Sequence, residues 1–352
     1  MVNYLDSRRI MGTTAERSSI PVPATQGGWV ELGRTTLGSS GDTIPVSSLP
    51  DKRYYMFLYS GVPSGDVDVL IRFNSDSGNN YAYRKSDDGL ADGTNVPASF
   101  QIAGDSNISG QHLSVGYTAN LSTNEKLSLA HFGGTSAAGA GTAPNRQESA
   151  SKWVNTSAAI NKFDLINLSS GDLGSGSELV VLGWDPADTH TNNFWEELAS
   201  VELGSPADQI SSGTITAKKY LWIQCWIKND SANDITGLLR FNNDTGTNYS
   251  SRYSINGGTD VTRTSRTYID STGGSQEATF INAFIINNAS NEKLMIGHNI
   301  GSSTAGATNA PNRREWVGKW ANTSNQITEI DVEQLDAGDL ASGSILKVWG
   351  AD

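Results

Sequence analysis

The chain has very little cysteine and an excess of acidic over basic charge. Cys225 is the only cysteine in 352 residues, which excludes a disulfide framework within the chain and a cysteine-rich zinc site. It lies in the apolar segment 220–227, so we expect it to be buried as a small hydrophobic residue. The net charge of −12 argues against nucleic acid as a partner, because phosphates are bound by basic faces.

An export signal is also missing from the first residues. The segment 1–10 places its charges after the first apolar residues and contains no continuous apolar core. We therefore expect neither a signal peptide nor a membrane anchor, and no membrane insertion. A composition rich in Gly, Ser, Thr and Asn is typical of adhesive extracellular proteins. Together with the missing signal, it predicts a protein that is made in the host cytoplasm and released by lysis, as virus particles are.

What the chain does have is an internal repeat. Residues 124–185 align without a gap on residues 291–352 at an offset of 167, and 33 of these 62 positions are identical. Earlier positions recur at nearly the same offset, as Trp29 does at Trp195. A period this long is several times that of a solenoid or propeller unit. Each copy is therefore predicted to be a complete domain.

The repeat sets the predicted domain organisation. We expect an N-terminal arm at 1–27, a first domain at 28–185, a linker at 186–193 and a second domain at 194–352. The arm is polar, contains two prolines and has no counterpart before the second copy. It is predicted to act as a tether that orders on a neighbouring subunit, although a disordered terminus has the same composition.

Each copy has the pattern of an all-β domain. Apolar runs of strand length, such as 54–59 and 220–227, are separated by turn residues, and no window keeps a helical period. About eight strands per copy indicate a β-sandwich, with a jelly roll as the expected connectivity. The fold class is therefore two tandem β-sandwich, jelly-roll-like domains related by internal duplication.

The sharpest local motif is Arg-Phe-Asn-x-Asp-x-Gly-x-Asn-Tyr, which begins at Arg72 and again at Arg240. One interpretation is a β-hairpin in which Asn and Asp side chains cap turn amides. The other is a calcium site, because oxygen-rich turns bind Ca²⁺. The motif lacks the terminal glutamate of an EF-hand, so the calcium signal is weak. The candidate ligands are Asn74, Asp76, Asn80, Asn242, Asp244 and Asn248.

A second motif, Ala-Pro-Asn-Arg-x-Glu, contains Arg146 and Glu148 in the first copy. An ion pair or a packing role is expected, because no second carboxylate recurs beside the glutamate as paired acid–base catalysis requires. His131 and His298 occupy matching positions. One histidine per domain does not make a metal site without further ligands, so both are interpreted as structural. We predict no catalytic residue, no cofactor and no required metal.

Tryptophan is unevenly distributed, with three residues in the first copy and six in the second. Most are expected to anchor cores or interfaces. Because exposed aromatic side chains stack on sugar rings, the second domain is the better candidate for contact with a glycan.

These motifs, followed by Asn-Glu-Lys-Leu, Lys-Trp-x-Asn-Thr-Ser and Gly-Asp-Leu-x-Ser-Gly-Ser, resemble β-rich virion proteins of tailed phages and related viruses of marine microbes. The resemblance covers both repeats. It implies a non-enzymatic structural protein of the virion, such as a decoration, tail or fibre subunit, whose partners are further copies and other virion proteins. Two alternatives are a carbohydrate-binding, receptor-binding adhesin that contacts a cell-surface glycan and a double jelly-roll capsid protein.

Overall fold

The computed structural model describes residues 28–103, 108, 110–186, 188, 193–230, 237–270, 278–302, 306–307, 309–335 and 338–352. The predicted arm at 1–27 lies outside the described residues, as does most of the predicted linker at 186–193. The described residues form strands and turns and contain no helix, which confirms the predicted all-β fold. Accordingly, no helix in this part of the chain is long and apolar enough to cross a membrane.

Twelve strands are described in each half of the chain. Those of the first half are β1 Val30–Thr36, β2 Thr43–Val46, β3 Tyr54–Gly61, β4 Val69–Phe73, β5 Tyr81–Asp87, β6 Gly93–Asn95, β7 Phe100–Ala103, β8 His112–Ala119, β9 Lys126–Gly134, β10 Asn145–Trp153, β11 Phe163–Asn167 and β12 Glu178–Trp184. Those of the second half are β13 Glu196–Glu202, β14 Gln209–Ser211, β15 Tyr220–Lys228, β16 Gly237–Phe241, β17 Tyr249–Ile255, β18 Val261–Arg266, β19 Ile269–Asp270, β20 Ala278–Ile286, β21 Lys293–Ser302, β22 Asn312–Trp320, β23 Ile330–Gln334 and β24 Ile345–Ala351.

Eight strands of the first half have the jelly-roll order. They form two antiparallel four-stranded arrays, β1-β12-β3-β8 and β2-β11-β4-β7. Along this core of eight the chain changes sheet at every step except the one from β4 to β7, so it closes a sandwich. The first array continues past β8 through β9, β10, β5 and β6, which makes it an eight-stranded sheet. The second half repeats both sheets strand for strand, from β13 to β24.

The prediction of about eight strands per domain was too low, because short polar strands carry almost no hydrophobic signal. Strand β6 is exposed along its whole length, and β18 is exposed over most of it. Each forms the outer edge of a large sheet. Exposed edge strands are short or polar in natural proteins because this discourages further strand pairing.

Each sandwich is filled by its own apolar cluster. In the first domain the cluster includes Phe57, Phe73 and Trp153, and in the second it includes Phe241 and Trp320. Cys225 lies in the second cluster and is fully buried, as predicted. Burial raises the pKa of its thiol, so this cysteine is held in the neutral, unreactive form.

A third apolar cluster lies between the two domains. It joins Met56, Leu58 and Val115 on the outer face of the first large sheet to Phe284 and Ile296 on the outer face of the second. Strand β9 lies against its counterpart β21, β8 against β20, and β10 against β22. Because equivalent strands meet, the two domains are related approximately as the subunits of an isologous dimer are.

Polar contacts reinforce this boundary. The hydroxyl of Tyr220 donates a hydrogen bond to the buried carboxylate of Glu178 at 2.9 Å, and the ammonium group of Lys219 lies 2.9 Å from the same carboxylate. The Gly/Ala-rich segment 133–143 packs against the second domain. Its carbonyl oxygens at Ala137 and Ala140 accept hydrogen bonds from Lys319 and from the backbone of Ser265.

Candidate functional site

The six predicted calcium candidates lie in two equivalent hairpin turns. In the first turn, Asp76 Oδ1 accepts hydrogen bonds from the Gly78 amide at 2.9 Å and the Asn80 side chain at 3.1 Å. Asn74 Oδ1 accepts hydrogen bonds from the backbone amides of Asn161 and Lys162. The oxygen atoms that would bind calcium are therefore engaged by N–H donors of the protein. Asn242, Asp244 and Asn248 make the equivalent contacts in the second turn.

The same aspartates connect each turn to the core of its domain by hydrogen bonds. Trp153 Nε1 donates to Asp76 Oδ2 at 2.7 Å, and Trp320 Nε1 donates to Asp244 Oδ2 at the same distance. Burial opposes ionisation of Asp76, but the hydrogen bonds from Trp153, Asn80 and Gly78 outweigh it and lower its pKa. The motif thus connects a turn, a strand and a buried indole, which explains its recurrence in both copies.

The predicted ion pair between Arg146 and Glu148 is present, and Arg146 also reaches across the domain boundary. Its guanidinium donates to Glu148 Oε1 at 2.6 Å and to Asp260 Oδ1 of the second domain at 2.7 Å. Arg146 and Asp260 are both buried, with exposed side-chain fractions of 6% and 3%. The equivalent Arg313 bonds to Glu315 but is exposed. The two copies of the motif therefore have different roles.

The two recurring histidines meet at the boundary. The ring centroids of His131 and His298 are 4.3 Å apart, with the rings inclined at 70°. Glu148 is the cross-strand partner of His131, and Glu315 is the cross-strand partner of His298. One ligand atom from each of His131, His298 and Glu148 lies within 4.8 Å of the others. This cluster contains groups from both domains.

The electrostatics keep both imidazoles neutral. Burial, with smaller contributions from His298 and Arg146, lowers the pKa of His131 to about 3. Burial also lowers the pKa of His298, although the charge of Glu148 opposes the shift. Near neutral pH both rings therefore offer a nitrogen lone pair, which is the form that binds metal ions.

Sequence reasoning treated each histidine as isolated in its own domain, and this was wrong. The missed signal is the common spacing, because His131 precedes Glu148 by the same interval as His298 precedes Glu315. In two adjacent antiparallel strands, such a spacing places the histidine beside the glutamate. Only the packing of β9 against β21 then brings the two pairs together.

A second feature is an open aromatic cleft on the outer face of the first large sheet. It has a volume of about 590 Å³ and includes Trp29, Tyr54, Tyr117, Leu129 and Trp184 in its walls. The rings of Tyr54 and Trp184 stack at 5.4 Å, and those of Trp29 and Tyr117 lie 6.1 Å apart. An exposed apolar surface of this kind usually marks a binding site.

The equivalent part of the second domain's outer face is covered. The counterparts of these five residues all lie in the apolar cluster between the domains and are buried there: Trp195, Tyr220, Phe284, Ile296 and Ala351. The residues that line the open cleft in the first domain therefore have counterparts in the second domain that contact the first domain.

Most tryptophans of the second domain anchor apolar clusters, as predicted. Trp195, Trp316 and Trp320 are buried, and Trp222 and Trp349 pack against the cluster between the domains. Trp226 is 40% exposed and pairs across β15 and β20 with Phe280, which is 41% exposed. The open aromatic cleft lies on the first domain.

Comparison with known proteins adds little. No family model matches the chain, and no curated protein matches it. Domains LG4-5 of the mouse laminin alpha1 chain are 11% identical, cover 91% of this chain and 89% of their own, and give a TM-score of 0.20. The structure of infectious bursal disease virus Gx strain is 11% identical, with 95% of this chain and 84% of that chain covered, and gives a TM-score of 0.11. Similarity at this level carries no argument about function.

Proposed function

We propose that this protein is a non-enzymatic structural subunit of a virus particle, and that it assembles by accepting the N-terminal arm of a neighbouring copy in the aromatic cleft of its first domain. The observation that carries the proposal is the contrast between the two large sheets. The residues that line the open cleft of the first domain have counterparts in the second domain that are buried against the first. Exposed apolar surfaces of this size usually mark the site at which a partner binds.

The arm has a suitable chemistry for this cleft. Residues 20–23 read Ile-Pro-Val-Pro, and Pro-rich apolar segments bind aromatic-lined grooves in the extended polyproline conformation. The prolines lose little conformational freedom on binding, which favours association. Trp29, which follows the arm in the sequence by two residues, forms part of the wall of the cleft. Exchange of arms between copies would therefore connect each cleft to a neighbouring subunit.

The test compares the full chain with residues 28–352 by size-exclusion chromatography with light scattering. We expect the full chain to assemble and the shortened chain to be monomeric. A synthetic peptide of residues 1–27 should bind the shortened chain, and Leu129→Asp should weaken this binding at least about tenfold, because it places a charge in the apolar cleft. Ile300→Asp is the matched control, since Ile300 is an exposed apolar residue of the second domain.

Three outcomes would contradict the proposal. They are assembly of the shortened chain to the same extent as the full chain, equal binding of the peptide to both variants, and a monomeric full chain whose cleft is closed by its own arm. Binding of a glycan to the shortened chain, lost in Trp184→Ala, would favour the receptor-binding alternative. The stacked rings of Tyr54 and Trp184 are the feature that supports this alternative, because parallel aromatic faces bind sugars.

A further inference from the structure

The cluster at the domain boundary has the composition of a metal site. Two imidazoles and a carboxylate, supplied by β9, β10 and β21, bring their ligand atoms within 4.8 Å of one another. Histidine nitrogen and carboxylate oxygen are ligands that Zn²⁺ accepts in tetrahedral sites. All three residues are half-buried, so the cluster is shielded from solvent without being closed to an ion.

An unpartnered polar atom points independently to a ligand. His131 Nδ1 is buried and has no hydrogen-bond partner among the residues that the structure describes. A buried polar atom without a partner costs about 1–3 kcal/mol of folding free energy, and proteins leave few such atoms unexplained. A metal ion bound to His131 would remove this cost.

We propose that His131, His298 and Glu148 bind a Zn²⁺ ion across the boundary between the two domains. Tetrahedral coordination with bonds of about 2.0–2.1 Å places ligand atoms about 3.3 Å apart. The three groups therefore have to close by about 1.5 Å at most, which side-chain rotation can supply. One coordination position remains, for a water molecule or for Glu315.

Arg146 and Asp260 orient the carboxylate. Arg146 donates to Glu148 Oε1, which leaves Oε2 of the same carboxylate for the ion. Asp260 binds the other side of the guanidinium and balances its charge. Hydrogen bonds of this kind fix the direction of metal ligands and strengthen metal binding.

Such an ion would fasten the two domains to each other. Its ligands come from the first domain (His131 and Glu148) and from the second (His298), so the ion would bind the assembled pair more tightly than either domain alone. Binding energy that requires the folded arrangement stabilises it. This inference differs from the expectation that the protein requires no metal, and it is independent of the proposed role of the aromatic cleft.

The experiment uses the full chain, stripped of metal with a chelator and titrated with ZnCl₂ in a calorimeter. We expect one Zn²⁺ per chain. The melting temperature should rise by about 4 °C at a hundredfold excess of Zn²⁺ over the Kd. His131→Gln and His298→Gln should each weaken binding at least about a hundredfold, because each removes a ligand. His112→Thr is the control, since it removes a buried histidine from the same domain and should leave binding unchanged.

A second measurement covers the case in which a variant fails to fold. Co²⁺ added to the metal-free wild-type chain should give the intense visible absorption of a four- or five-coordinate site. Absence of zinc binding, a weak octahedral cobalt spectrum, or equal zinc affinity in the wild type and both histidine variants would each overturn the proposal.

Discussion

The outer faces of the two large sheets have similar sequences, but different parts of the two faces are covered at the domain boundary. In the second domain, Phe284 and Ile296 are buried against the first domain, whereas the equivalent Tyr117 and Leu129 line an open cleft. A strict two-fold relation would bury both faces to the same extent. The difference shows that the boundary is approximately symmetric at the histidine pair and asymmetric away from it.

The asymmetry has a local cause at the boundary. Gly133 on β9 allows close approach, since a Cβ atom there would lie 3.2 Å from Val317 Cγ1. The equivalent position in the second domain is Ile300, which is 55% exposed. One side of the boundary therefore closes over a glycine, whereas the equivalent residue on the other side, an isoleucine, remains at the surface.

The largest difference in the free energy of unfolding is expected between variants of the two copies of the Arg-x-Glu motif. Arg146→Gln should lower the free energy of unfolding by about 3–5 kcal/mol, because it leaves the carboxylate of Asp260 buried without its partner. Arg313→Gln should cost about 1 kcal/mol or less, since the Arg313 side chain is 63% exposed. Urea denaturation of both variants measures the difference. Equal losses would show that Arg146 does not hold the domains together.

A second pair of variants compares the covered face with the open face. Ile296→Ala should lower the free energy of unfolding by about 2–5 kcal/mol, because it leaves a cavity between the domains. Leu129→Ala, at the equivalent position, should change it by about 0.5 kcal/mol or less. The exposed fractions of the two residues are 4% and 47%. A large loss for Leu129→Ala in the chain lacking the arm would mean that the cleft is closed in solution.

The effect that is expected to be smallest for a change of one pH unit uses a position at which the two domains differ. His112 is fully buried, and the equivalent residue of the second domain is Thr279. Burial lowers the pKa of His112 from 6.5 to about 4, so below pH 6.5 the unfolded chain binds a proton that the folded chain excludes. This contribution to stability is complete above pH 6.5 and is lost as the pH falls toward 4.

Between these limits the free energy of unfolding should fall by up to about 1.4 kcal/mol per pH unit on account of His112. His112→Thr, which introduces the residue of the second domain, should remove this contribution to the slope. Urea denaturation at a series of pH values, with metal-free buffer throughout, measures it. An unchanged slope would mean that His112 is not the group responsible.

The sequence predicted the parts of this protein that depend on neighbours along the chain or within one domain. The hydrophobic runs predicted strands β3 and β15, and the turn motif indicated the hairpins that Asp76 and Asp244 cap. It underestimated the number of strands, because edge strands such as β6 have no apolar face. It also gave no indication of the aromatic cleft on the first domain, since a count of tryptophans does not indicate which of them are covered.

By itself, the sequence determined the fold class and the recurrence of motifs, because strand periodicity and turn chemistry act over a few residues and the repeat is visible without any structure. Only the tertiary structure decided which equivalent surface is closed and that His131 meets His298. Both depend on how two folded sheets pack against each other. That packing is set by the combined shape of residues far apart in the chain, such as Gly133, Ile296 and Val317, and no local pattern in the sequence encodes it.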